Sequence, residues 1–187
     1  TLQHNGLQVM GGFIVGFDAD TAGIFRQQVD FIQKTGIVTA MVGMLQAPFG
    51  TKLYDRMEKE GRILHEMTGD NADGSTNIIP KMGIGALEAG YRRLMKGIYE
   101  PKFFYQRVKT FLSVYNPVQA PVKIRVEELG AFFSSLWRLG IIGKERREYW
   151  QLFFWTLAHY PKKFGLAITF AIYGYHFRKI NEGLFAD

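Results

Sequence analysis

Residues 7–17, LQVMGGFIVGF, and residues 37–45, IVTAMVGML, are the two stretches that decide the fold. Each is almost continuously apolar, which is typical of a strand in a parallel sheet with both faces covered. Between them, Ile24, Phe25 and Val29 begin an apolar pattern at helical spacing, and Gly36 is placed to end that helix. The order strand, helix, strand predicts a parallel α/β unit.

Turn and cap residues follow both predicted strands. Residues 18–21, Asp-Ala-Asp-Thr, are expected to turn the chain and to cap the first helix. Residues 48–50, Pro-Phe-Gly, form a second turn signal, after which Thr51 is placed to cap a short helix that ends at Gly61. Residues 1–64 therefore predict an α/β fragment, since two strands cannot close a barrel by themselves.

The pattern changes after residue 64. Residues 65–84 are rich in Gly, Asn, Asp, Ser and Thr and predict a connecting loop. Residues 85–187 show helical periodicity only, so we expect an all-α domain and a chain that is mostly helical overall. The helices are expected at 85–99, 101–115, 124–140, 144–159 and 161–182.

Composition excludes several kinds of site. The 187 residues contain no Cys, which excludes a disulfide, a thiolate nucleophile and any zinc or iron–sulfur group held by thiolates of this chain. The net charge of +6 is uneven: residues 1–80 carry a balance of −3, and residues 81–187 carry +9. A basic second half suits either an anionic partner or a solvated helix surface.

Two motifs resemble those of one enzyme family. Residues 12–17, followed by acidic residues, resemble the fifth barrel strand of radical S-adenosylmethionine (SAM) enzymes, which has Gly-x-Ile-x-Gly there. Residues 46–54, QAPFGTKLY, are similar to the exit of the sixth strand, where Pro-x-Gly-Thr-x-Leu-Tyr recurs, and the likeness continues through residues 58–64. The resemblance implies that residues 1–64 are the C-terminal part of a radical SAM (β/α) barrel.

The resemblance also implies a cofactor-binding set at the mouth of that barrel, where the carboxyl ends of the strands meet. Glycines let a ligand ring approach the backbone, and an isoleucine offers it an apolar surface. The alternative is that these residues are ordinary core and turn. The expected contacts to SAM are Gly12, Ile14, Gly16, Phe17, Gln46, Ala47 and Pro48.

Residues 77–82, NIIPKM, and residues 174–179, GYHFRK, together with shorter signals at 90–91, 99–101 and 105–107, carry a second likeness. They make the second half similar to the C-terminal region of cobalamin-binding radical SAM proteins, some of which methylate unactivated carbons of lipids such as hopanoids. The likeness implies a [4Fe–4S] cluster and SAM in a full-length protein, with cobalamin as a further cofactor. The chain departs from the family pattern because it lacks both the three-Cys cluster motif and the Asp-x-His-x-x-Gly cobalamin motif. We therefore expect no catalytic residue and no bound cofactor in this chain alone. Its first expected partner is the missing N-terminal part of the same protein.

Other functions stay open. Aromatic residues between Tyr149 and Phe177, flanked by basic residues, suit a helix that lies on an anionic membrane surface or meets a lipid substrate, or a helix pair that packs internally. A helical adaptor for a membrane or protein partner and an RNA-modifying enzyme are the alternatives, and nucleic acid is the less favoured partner. The expected location is cytoplasmic, with peripheral membrane attachment as the alternative. Asp18, Asp20, Asp70 and Asp73 are interpreted as caps and turns, so no metal site is expected.

Overall fold

A computed structural model describes residues 2–67, 69, 74–117 and 126–184. It confirms the predicted class, in which two parallel strands with helices are followed by helices alone. Short 3₁₀ turns lie at Gln3–Asn5 and Pro161–Lys163, and Leu136–Ile142 is π-helical. The other elements are β1 (Met10–Val15), α1 (Ile24–Thr35), β2 (Thr39–Met44), α2 (Lys52–Lys59), α3 (Ile84–Tyr99), α4 (Pro101–Val114), α5 (Val126–Ser135), α6 (Arg146–His159) and α7 (Phe164–Leu184).

The two strands pair in parallel, with Ile14 opposite Gly43. Val15 and Val42 belong to the main core together with residues of α1 and α3. The opposite face is open, since Met10 is 66% exposed and Met41 is 59% exposed. The expectation that both faces are covered is therefore wrong for the described residues, because the helices pack on one face only.

Helix α3 protects the free edge of β2. The hydroxyl group of Tyr91 donates a hydrogen bond to the carbonyl oxygen of Val42 at 2.9 Å, and that of Tyr99 donates to Ala40. These carbonyl groups point away from β1, so an unprotected edge would leave them ready to pair with another strand. The two phenols satisfy them instead, and β2 ends the sheet on this side.

Most of the predicted helix boundaries agree with the structure. Gly36 ends α1 in a left-handed conformation with a φ of 68°, and the side chain of Thr51 accepts a hydrogen bond from the backbone N–H of Tyr54. The predicted cap at residues 18–21 is wrong, because α1 begins at Ile24 behind Gly23, which offers no side-chain cap. Asp20 turns back toward β1 instead.

In the second half, α3, α4 and α6 lie within one or two residues of the predicted ranges. The prediction for 124–140 corresponds to α5 and the π-helical segment, with residues 124 and 125 outside the described range. The helix expected from residue 161 begins as a 3₁₀ turn at Pro161 and continues as α7. The indole N–H of Trp150 donates to the carbonyl oxygen of Gly140 at 2.9 Å, which ties α6 to the π-helical segment.

One continuous hydrophobic core runs from the strands to α7. Two glycines let its helices approach closely: a Cβ at Gly90 would lie 2.2 Å from the ring of Phe25, and one at Gly174 would lie 2.3 Å from the ring of Phe104. These contacts join α1 to α3 and α4 to α7. The division into parts at residues 65–84 stays a prediction.

The guanidinium group of Arg107 connects the strands to the helices. Arg107 is 1% exposed, and it donates to the side chain of Gln33 at 2.8 Å, to the carbonyl of Ile98 at 2.8 Å and to that of Val38 at 3.3 Å. The ring of Phe104 lies 5.1 Å from its central carbon. Burial lowers the pKa of Arg107 to about 10, which leaves it protonated at neutral pH.

We expect Arg107→Met to lower the free energy of unfolding by about 3 kcal/mol, because it leaves two buried carbonyl groups and one amide without their donor. The exposed Lys102 of the same helix gives the matched control, and Lys102→Met is expected to change stability by no more than about 0.5 kcal/mol. Urea denaturation of the purified variants measures both values. Equal stability of the two variants would contradict the role assigned to Arg107.

Candidate functional site

A groove of about 690 Å³ lies over the open face of the sheet. Its floor is formed by the two strands, and its far side is formed by α3 and α7. Most of its lining is apolar, which is typical of a site for a flat or hydrophobic group. The residues that matter most are Gly12, Ile14, Met41, Gln46, Pro48, Tyr99, Phe177 and Asn181.

The structure brings four of the seven predicted site residues to this groove: Gly12, Ile14, Gln46 and Pro48. The other three flank it. Ala47 is fully buried beneath the exit of β2, and Phe17 is half-exposed beyond the end of β1. Gly16 has a φ of 106°, and a Cβ there would lie 3.1 Å from the side chain of Leu87. Contact with SAM stays a prediction for all seven.

Asp20 fixes the exit of β1. One carboxylate oxygen of Asp20 accepts hydrogen bonds from the backbone N–H groups of Gly16 at 2.8 Å and Phe17 at 3.0 Å. Such charge-assisted bonds to backbone amides are stronger than those between neutral groups. The carboxylate expected to open the helix therefore holds the end of the strand instead.

Asp18 ties the same exit to the segment after α2. The guanidinium of Arg62 donates two hydrogen bonds to Asp18, at 2.6 and 3.2 Å, and Arg56 lies 3.3 Å away. The pKa of Asp18 is lowered, chiefly because Arg62 donates these bonds. Arg62 also donates to the carbonyl of Ile79 at 2.7 Å, so it connects three segments that are distant in the sequence.

Asn77 and Thr76 fix the exit of β2. The side-chain oxygen of Asn77 accepts from the N–H of Ala47 at 2.8 Å, and its NH₂ group donates to the carbonyl of Ala47 at 2.9 Å. The hydroxyl of Thr76 donates to the carbonyl of Leu45 at 2.7 Å. Sequence reasoning used residues 77–82 only for family likeness and missed this role. The available signal was a Thr–Asn pair directly before the apolar Ile78.

The polar groups that line the groove are few. Gln46 donates to the carbonyl of Ser75 at 3.3 Å, which orients its amide at the mouth of the groove. The side-chain oxygen of Asn181 is buried and accepts no hydrogen bond from the described residues. An apolar groove with two amides suits a heteroaromatic ring that needs a few directed hydrogen bonds.

The described residues contain no group of three His, Asp or Glu side chains that could hold a metal ion. Asp18 and Asp20 are committed to the contacts described above, and Asp70 and Asp73 lie outside the described residues. None of the described helices combines the length and the apolar character that crossing a membrane requires.

Residues 51–186 match the family described as domain of unknown function DUF4070. The chain belongs to this family. The DUF4070 chain is 31% identical over 181 residues to an uncharacterized methyltransferase of Synechocystis sp., a match that covers 95% of the chain and 34% of that protein. It is 25% identical over 160 residues to the hopanoid C-2 methylase of Rhodopseudomonas palustris, which covers 81% of the chain and 29% of that protein.

The DUF4070 chain thus spans about a third of the length of these curated relatives. No solved structure matches it significantly. The relatives and the family together support the radical SAM family that the strand motifs resemble, with methyltransferases among its members.

We expect Asn77→Asp to destabilise the DUF4070 chain by about 2 kcal/mol at neutral pH, because a carboxylate cannot donate to the carbonyl of Ala47. Burial raises the pKa of such a carboxyl group above that of the unfolded chain, so the lost stability should return as the pH falls through this raised pKa and should be fully regained below about 4, where the acid carries an O–H donor in both states. Urea denaturation at both pH values measures the effect.

The control for this variant is Asn116→Asp, which makes the same charge change at an exposed position. The two variants should differ strongly in their free energy of unfolding at neutral pH, and this difference should shrink in acid. A constant difference across the pH range would show that the two bonds to Ala47 do not stabilise the exit of β2.

Proposed function

We propose that this chain supplies the last two strands of a radical SAM barrel and the helical region that covers them. The full-length enzyme would bind a [4Fe–4S] cluster and SAM, with cobalamin as a further cofactor, and would transfer a methyl group to an unactivated carbon. One observation carries the proposal. The two motif-bearing strands are adjacent, parallel and in register, and Ile14 and Pro48 line the same groove.

The protected edge of β2 supports this position in a barrel. The hydroxyl groups of Tyr91 and Tyr99 donate hydrogen bonds to the carbonyl groups on that edge, so these groups are not available to pair with a further strand beside β2. The additional strands that the proposal requires would pair with β1, which comes first in the chain. This agrees with a missing N-terminal part that would supply the earlier strands of the barrel, and its partner surface is the open face and edge of β1.

The groove has the space and chemistry for the nucleoside end of SAM. A Cβ placed at Gly12 would meet no atom within 4 Å, so a ligand ring has room to approach the backbone there. Ile14 and Met41 give the ring an apolar floor, and Gln46 offers an amide at the mouth. The buried oxygen of Asn181 is an acceptor that such a ligand would satisfy.

The chain cannot hold the iron–sulfur cluster, because it has no Cys to ligate iron. The cluster, when bound elsewhere in the protein, supplies the electron that cleaves SAM to a radical. The residues of this chain have a different task. They orient the nucleoside on the sheet, while Tyr99 and Phe177 from α3 and α7 close one side of the groove against water.

The full-length protein tests the proposal directly. After anaerobic reconstitution of its cluster, we expect SAM to be cleaved to 5′-deoxyadenosine when a reductant is added, and a methyl group to reach an apolar acceptor. Chromatography with mass detection measures both products. A full-length sequence without three clustered Cys residues, or a reconstituted cluster that cleaves no SAM, would refute the proposal.

Within that protein, we expect Gly12→Val to raise the dissociation constant of SAM by about tenfold or more, since the new side chain occupies the space left for the ligand. The fold should persist, because the site has room for the added atoms. Equilibrium dialysis with labelled SAM measures the affinity, and the thermal midpoint reports folding.

The matched control is Met10→Val, which places the same side chain on the same strand and face but outside the groove. We expect this variant to bind SAM within about twofold of the unmodified protein. Equal weakening in both variants would mean that the strand is merely perturbed and that Gly12 does not border the ligand.

A further inference from the structure

Five large apolar side chains are exposed on the surface of the π-helical segment and its two neighbouring helices. Each exposes more than half of its area, and Phe133, Trp137 and Ile141 are spaced four residues apart, which places them along one side of the α5 and π-helical stretch. Exposed apolar side chains gathered in this way mark a contact surface. We call this surface the aromatic ridge; it consists of Phe133, Trp137, Ile141, Ile142 and Phe154.

Ring contacts connect the ridge residues of α5 and α6. Phe133 lies 5.7 Å from the ring of Phe132, Phe132 lies 6.4 Å from Phe153, and Phe153 lies 5.4 Å from Phe154. Trp150 stacks on Phe154 and holds the π-helical segment through Gly140. These contacts therefore link the parts of the ridge on α5, on the π-helical segment and on α6.

Exposed basic side chains lie close in the sequence to the ridge residues. Arg138, Arg146 and Arg147 are exposed, and none of them forms a salt bridge within the described residues. Lys144 is exposed as well, but its charge acts on the carboxylate of Glu182. The acidic Glu145 beside them is buried and forms an ion pair with Arg178, whose guanidinium donates to its two carboxylate oxygens at 2.6 and 2.7 Å. The half-buried Glu148 is the other carboxylate of residues 133–154, so the exposed arginines leave this stretch with a net positive charge.

The structure also shows which aromatic residues do not belong to this surface. Tyr149 and Phe170 are fully buried in the core, and Arg178 is held in its ion pair with Glu145. Much of the aromatic stretch between Tyr149 and Phe177 is therefore internal packing. Phe154, at 62% exposed, is the member of that stretch that belongs to the ridge.

We propose that the aromatic ridge inserts into the interface of an anionic membrane, with Arg138, Arg146 and Arg147 on the lipid headgroups. Aromatic and branched side chains next to exposed Arg and Lys match the chemistry of that interface, which takes apolar groups below and cations above. A second copy of this chain is a poorer occupant. A two-fold contact would bring the same cations face to face. The proposal does not depend on SAM chemistry.

Sedimentation of the full-length protein with vesicles tests this directly. The vesicles contain three parts phosphatidylcholine to one part phosphatidylglycerol, and pure phosphatidylcholine vesicles are the neutral comparison. We expect binding to the anionic vesicles to be at least about tenfold stronger, and to weaken when salt is raised from about 0.05 M to about 0.5 M. No binding to anionic vesicles at low salt overturns the proposal, and this is the result expected if another part of the protein covers the ridge.

Two pairs of variants separate the apolar and the ionic contributions. The first double variant combines Phe133→Ser and Trp137→Ser, and it should weaken vesicle binding by about tenfold or more. Its control combines Phe31→Ser and Phe49→Ser, on exposed aromatic residues elsewhere, and should bind vesicles within about twofold of the unmodified protein. The second double variant combines Arg146→Glu and Arg147→Glu, and it should weaken vesicle binding by a similar factor. Its control makes the same charge change at Lys34 and Lys52, and it should weaken binding less.

Phe154→Ser lies on a different helix and gives an independent test of the ridge if the first pair is poorly folded, as judged by circular dichroism. It should weaken vesicle binding more than either member of the control pair does. Ridge variants that bind as well as the unmodified protein, or control variants that lose as much binding, overturn the proposal. SAM cleavage by the same samples tells this failure apart from a failure of the proposed enzyme activity.

Discussion

The buried guanidinium of Arg107 is the contact on which the rest of the structure depends. It lies on α4 and donates to α1, to the residue before β2 and to the end of α3, so four segments share one charged group. A buried charge without these acceptors would cost several kcal/mol, which makes the arrangement all-or-none. Helix α3 also covers the edge of β2 through Tyr91 and Tyr99, so the contacts of Arg107 and of these two phenols together join α3 to the sheet.

The ends of the two strands are held by side-chain hydrogen bonds to the backbone. Neither exit belongs to a helix or a sheet, and backbone groups there need partners from elsewhere. Asp20 provides them locally for β1, whereas Asn77 provides them for β2 across 30 residues. Polar contacts therefore hold the rim of the groove while its floor stays apolar. Such a division gives a fixed mouth and leaves the floor free for a ligand or for further strands.

Charge is divided in a similar way between structure and surface. The ion pairs Asp18–Arg62 and Glu145–Arg178 are largely shielded from water and fasten segments together. Each ion pair uses one acidic and one basic group, so pairing leaves the balance of +9 over residues 81–187 unchanged. Arg107 is buried, whereas Arg138, Arg146 and Arg147 near the aromatic ridge are exposed and contribute to the positive surface.

The sequence by itself determined the parallel strand pair, most helix boundaries and the family, because these follow from local periodicity, from the glycine at residue 36, from the cap at Thr51 and from contiguous motifs. It also predicted four residues that line the groove. Only the tertiary structure decided that one face of the sheet is open, that Asp20 accepts hydrogen bonds from the end of β1, and that Arg107 and Asn77 are buried. Arg107 reaches Gln33 and Val38, which lie 74 and 69 residues away, and Asn77 reaches Ala47 across 30 residues. A local sequence pattern carries no information about such packing.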